Sequence, residues 1–155
     1  MSPQPGWHPL VVHFPLALTL TGVLLLLFAR LARRDSHAAT LATVGTWNLC
    51  LGAVAALFAL ATGLAAVLHL DVSAQAHQAV STHLKWAVFT TLALLLLSVW
   101  RGAGTAPESR PSTLFLVVLL AAAAALLFTG YRGGLNVYRF GIGVADHCAG
   151  MVPVK

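Results

Sequence analysis

Long tracts of this 155-residue chain carry no ionisable side chain: LTLTGVLLLLF at 18–28 and LFLVVLLAAAAALLF at 114–128 are two of them. A hydrocarbon core ~30 Å thick takes about 20 helical residues to cross. Four stretches reach that length, at about 9–28, 40–70, 80–100 and 112–131. In lipid the backbone must satisfy its own hydrogen bonds, which leaves helices and closed barrels. Barrel strands alternate in polarity, whereas these runs are continuous. The expectation is an all-α integral membrane protein, a four-transmembrane-helix bundle forming one domain over 1–155. Composition agrees: 8% of the residues are charged and 59% hydrophobic, against about a quarter charged in a soluble domain. Intrinsic disorder needs the opposite balance, and two cysteines cannot staple a small secreted fold.

The segment MSPQPGWHPL has no basic residue ahead of its apolar run and no small-residue cleavage site after it, so it does not read as a secretory signal peptide. Arg30, Arg33 and Arg34 follow the first span, and Arg101 and Arg110 follow the third. By the positive-inside rule these connections are cytoplasmic. That predicts a multi-pass protein of a bacterial inner membrane with both termini periplasmic, although Arg132, Arg139 and Lys155 in the tail pull the other way. Trp7, Trp86 and Tyr131 mark one interface, and Trp47 and Trp100 the other. The net charge of +5 serves topology, and no basic patch suited to nucleic acid is present in the sequence.

Seven histidines stand out against this background. Four spans place the N-terminus, the second loop and the tail at one end of the bundle. His8, His13, His69, His77, His83 and His147 fall at or near that end, and His37 at the other. Imidazole at membrane depth costs free energy unless its nitrogens are satisfied, so such groups face the bundle interior or a site. His13 and His83 each lie about one turn inside a span, on different helices. Two histidines at matched depth on separate helices suit the axial positions of a b-type haem. His13 and His83 are therefore the expected iron ligands, with His8, His69 and His77 as secondary candidates. Pro15, beside His13, removes a backbone donor and is expected to bend the first helix.

Gly52, Ala56, Ala59, Gly63 and Ala66 form a stripe of small residues along the second span. The stripe has two readings: a wall for a macrocycle, in which Gly63 touches the cofactor, or close helix packing. Arg132 and Arg139, just beyond the fourth span, either pair with haem propionates or anchor the helix at the interface. His8 and His77 also read as solvated interfacial residues, and His69 as a helix-end group. His147, Cys148 and Met151 make a soft, copper-type set in the tail. No CxxCH is present for covalent haem, and Cys50 and Cys148 are too few and too far apart for an iron–sulfur cluster. No nucleophile–base pair, phosphate-binding loop or HExxH occurs, which points to a non-catalytic subunit.

The opening HPLVVHFPLAL, the ATG at 61–63, His83 with Trp86, and the closing GGLNVYRFGIGV resemble a family of small bacterial four-span membrane domains of unknown function. Its signatures are roughly HPxxVHFPxAL and GGxLVYxHGVGV. The first falls on His8, Pro9, His13, Phe14 and Pro15, and the second on Gly133, Gly134, Val137, Tyr138, Gly141, Gly143 and Val144. Asn136 and Phe140 depart from it, Phe140 standing where a histidine is usual. Members occur fused to Rieske-type domains or encoded beside cytochromes c, so the resemblance implies a place in membrane electron transfer. The leading expectation is a b-type cytochrome exchanging electrons with a cytochrome c, an iron–sulfur protein or quinone. The alternatives are a cofactor-free structural or assembly subunit of a larger membrane complex, and a copper or zinc site built from the same histidines.

Overall fold

The computed structural model describes residues 7–68 and 73–143, and every regular element among them is α-helical. The elements are α1 (His8–Val11), α2 (His13–Leu31), α3 (Asp35–Val67), α4 (Ala74–Gly104) and α5 (Thr113–Phe140). Four helical spans are long and apolar enough to cross a membrane, with α1 and α2 together forming the first, His8–Leu31. The break between them is slight. Val12 keeps right-handed helical angles, and Pro15 has no N–H to give to the Val11 carbonyl one turn back.

The helices outrun the apolar stretches that announce them. α3 has 33 residues, about 50 Å at 1.5 Å per residue, well beyond a hydrocarbon core. α4 begins at Ala74, where the Ser73 hydroxyl accepts from the Ala76 N–H and caps the first turn. α5 continues through Arg132, Gly133 and Gly134 to Phe140. It ends at Gly141, whose φ of +64° only glycine adopts cheaply, with the Gly141 N–H returning to Val137 O at 2.9 Å. The closing glycine-rich motif is thus mostly helix.

Successive spans pack as antiparallel neighbours, and α5 closes the ring against α2. Leu26, Leu49, Leu94 and Leu119, one from each long helix, are fully buried at its centre. Large apolar side chains such as Leu24, Phe58, Leu96 and Val117 point outward, as lipid-facing residues do. Glycines bring α2 and α3 close together. A Cβ on Gly22 would lie 3.0 Å from Gly45 O, and one on Gly52 would lie 2.6 Å from Thr19 Oγ1. This is the small-residue contact that drives helix association in lipid, where apolar burial supplies little.

Two arginines lock the end that carries the short α2–α3 and α4–α5 connections. Arg101 is 2% exposed. Its Nε donates to Thr46 Oγ1 at 3.1 Å, Nη1 to Thr105 Oγ1 at 2.8 Å and Ser109 Oγ at 3.1 Å, and Nη2 to the carbonyls of Pro107, at 3.0 Å, and Ser109. Arg110 donates to the terminal carbonyls Ala29 O and Arg30 O of α2 and to Asp35 at the start of α3.

Candidate functional site

At the opposite end of the bundle, His8 opens the first span and His83 lies in the third turn of α4. These spans are diagonal in the ring, yet the two imidazoles meet: their centroids are 6.4 Å apart and their planes cross at 73°. Each is braced by the helix that follows its own. His8 Nδ1 is 2.9 Å from Ala59 O of α3, with Thr62 Oγ1 at 3.3 Å. His83 Nδ1 is 3.1 Å from Thr129 O of α5. A carbonyl oxygen only accepts, so each Nδ1 carries the proton and donates it. In the neutral ring that leaves the Nε2 lone pair free.

A glycine stands one helical turn beyond each accepting carbonyl, Gly63 after Ala59 and Gly133 after Thr129. A Cβ on Gly63 would sit 3.0 Å from His8 Cε1, and one on Gly133 would sit 3.1 Å from His83 Cε1. A Cβ at either position would press the imidazole back by a few tenths of an ångström from its carbonyl. Both helical hairpins therefore use one device: a carbonyl, a glycine four residues later, and a histidine from the adjacent helix laid against them.

Thr129 joins the site to the core, since its hydroxyl is 3.0 Å from that of Thr90 and donates to Ala125 O at 2.8 Å. Arg132, next to Gly133, is half-buried, and its Nε is enclosed with no hydrogen-bond partner among the described residues. An enclosed guanidinium N–H without an acceptor is a standing demand for an anionic or carbonyl oxygen. On the outer face of α4 and α5, the rings of Trp86 and Phe128 pack at 4.8 Å and those of Trp86 and Phe89 at 5.9 Å, an aromatic girdle beside the histidines.

The expected pair changes partner. His83 meets His8, not His13. His13 is exposed, and its Nδ1 reaches only Leu10 O of its own segment at 3.4 Å. The reason is helical geometry: five residues at about 100° each put His8 and His13 roughly 140° apart around the axis, so one faces inward when the other faces out. His77 is exposed on the first turn of α4. Gly63 lies at the site, but against the His8 ring, while Gly52 of the same stripe packs on Thr19. Arg132 lies at the site, whereas Arg139 rests over the Phe140 ring at 5.7 Å. His69, His147, Cys148 and Met151 lie outside the described residues.

Sequence reasoning missed Thr62 and Thr129 as site residues, and it named Ala59 only within the small-residue stripe and Gly133 only within the closing motif. Two contribute backbone carbonyls, which no side chain announces. The available signal was the matched four-residue spacing of A-x-x-x-G at 59–63 and T-x-x-x-G at 129–133, each on a helix adjacent to a histidine.

A family model described as a predicted membrane protein (DUF2231) matches residues 5–146. No curated protein and no solved structure matches the chain.

Proposed function

The chain belongs to the DUF2231 family of predicted membrane proteins. We propose that it is a b-type cytochrome, an electron-transfer subunit whose single haem is held by His8 and His83. The observation that carries this reading is the pair of imidazoles with both Nδ1 atoms tied to backbone carbonyls. Metal-bound histidines habitually give their second ring N–H to such an acceptor, which fixes the tautomer and raises the basicity of the ligating nitrogen. The two ring centroids stand 6.4 Å apart, so His8 and His83 are the residues that would together hold the group, each through its remaining ring nitrogen.

Haem, when bound, supplies one-electron chemistry. The chain's own residues orient, insulate and balance charge. Ala59 O and Thr129 O hold the imidazoles in register, and Gly63 and Gly133 give them room. The unpartnered Nε of Arg132 fits a propionate beside His83. The placement at one end of the bundle suits exchange with a cytochrome c, an iron–sulfur protein or quinone on that side, which is the periplasmic side if the arginine-bearing loops face the cytoplasm.

A copper or zinc centre takes more protein donors than two, whereas the imidazoles of His8 and His83 meet as a pair. The cofactor-free reading has one observation in its favour, because each histidine already satisfies a helix-to-helix hydrogen bond. A reduced-minus-oxidised spectrum of the protein purified from membranes separates the two. The cytochrome reading expects a haem b α-band that is absent from His8→Ala and His83→Ala and retained in His13→Ala. A folded, colourless, iron-free protein supports the structural subunit instead.

A further inference from the structure

We propose that the cleft over the α2–α3 connection is a binding site for an anionic glycerophospholipid, with the acyl chains against Phe28, Leu31 and Leu41 and the headgroup phosphate against Arg33, Arg34 and His37. These side chains line one open cavity of about 480 Å³ at the arginine-bearing end of the bundle. Its two halves differ in chemistry. Phe28 and Leu31 are 57% and 75% exposed at the end of α2. Arg33, Arg34 and His37, all exposed, line the other half.

Neither arginine is engaged elsewhere among the described residues. The ion pair found among the described residues joins Arg110 to Asp35, so the one acidic residue next to the cleft is committed to another arginine. Arg33 and Arg34 make no side-chain hydrogen bond or ion pair among the described residues. Arg34 is also the N-cap of α3 and gives its first turn no side-chain cap, so first-turn N–H groups and the positive end of a 33-residue helix lie next to a residue that lines the cleft. A free inorganic anion would answer the arginines alone and leave the apolar half of the cleft without a partner. A zwitterionic lipid would fill the apolar half while bringing its own cation to the arginines. An anionic phospholipid satisfies both halves, as basic pockets at helix ends in membranes do.

The test is native mass spectrometry of the delipidated full chain in detergent, titrated in parallel with phosphatidylglycerol and phosphatidylcholine of matched acyl chains. The site predicts retention of phosphatidylglycerol on the order of tenfold over phosphatidylcholine, falling to near parity in Arg33→Gln/Arg34→Gln. Inorganic phosphate and glycerophosphoglycerol, which lacks acyl chains, should neither bind nor compete at millimolar concentration. That arm reads the site on the unaltered protein even if the double variant fails to fold. Equal retention of the two lipids, selectivity that survives in a folded double variant, or displacement by inorganic phosphate overturns the proposal.

Discussion

His8 and His83 sit on diagonal spans of a four-helix ring, and their imidazole centroids nevertheless stand 6.4 Å apart. Neither ring holds the other in place. Each is fixed by a carbonyl of a third or fourth helix, Ala59 O for His8 and Thr129 O for His83. All four spans therefore converge on one pair of side chains, and the local chemistry of that pair depends on the packing of the whole bundle end.

The glycines that admit the rings should be intolerant of even a methyl group. Gly63→Ala and Gly133→Ala each place a Cβ about 3.0–3.1 Å from a ring carbon, so the imidazole must retreat from its carbonyl. The expected cost is ~1–3 kcal/mol from overpacking, read as a lower thermal midpoint in detergent. Gly134→Ala is the internal control, because nothing lies within 4 Å of its added Cβ, and it should be silent or slightly stabilising within its helix.

At the other end, Arg101 should be irreplaceable by lysine. Its planar guanidinium spans Thr46, Thr105, Pro107 and Ser109 at once, which a single ammonium cannot do. Arg101→Lys is expected to lose roughly 3 kcal/mol and to open the 105–112 connection to protease. Limited proteolysis in detergent reads the second effect independently of the melt. A variant as stable and as protected as the parent would contradict the clamp.

Asp35 and Arg110 should behave unequally although they form one ion pair. Asp35 is 98% exposed, so Asp35→Asn should cost no more than about 1 kcal/mol, the range of surface pairs, and less at high salt. Arg110 also satisfies Ala29 O and Arg30 O at the end of α2. Arg110→Ala should therefore cost more than Asp35→Asn, and the difference should persist in high salt. Matched melts at two ionic strengths decide it.

Much of the architecture was readable in the residues, because four long apolar runs admit few alternatives to four helices. The helix ends were not. His77 and Arg132 are helical although they lie outside the apolar stretches, since capping by Ser73 and Gly141 extends a helix wherever the ladder can continue. The site was half legible. His83 and Gly63 follow from depth and from the small-residue stripe, but the choice between His8 and His13 depends on how the first span is rotated, and rotation is set by packing. Ala59 and Thr129 act through backbone oxygens, which the sequence does not distinguish from any others.

If haem lies at the pair, Arg132 should tune it. A cation nearby disfavours the more positive, oxidised iron, so Arg132→Gln should lower the midpoint potential by on the order of tens of millivolts. Arg132→Lys, which keeps the charge, should shift it less. A potentiometric titration followed at the α-band measures both, and a rise in Arg132→Gln would contradict the assignment of this arginine to the cofactor.

Electron paramagnetic resonance of the oxidised protein tests the two-histidine site most directly, because it reports how many strong axial nitrogen ligands the iron has. The account predicts a low-spin, bis-imidazole ferric signal in the parent and in His13→Ala. His8→Gly and His83→Gly should lose that signal and regain it when free imidazole is supplied. A parent without haem iron, or a low-spin signal that survives in His8→Gly and vanishes in His13→Ala, would contradict it.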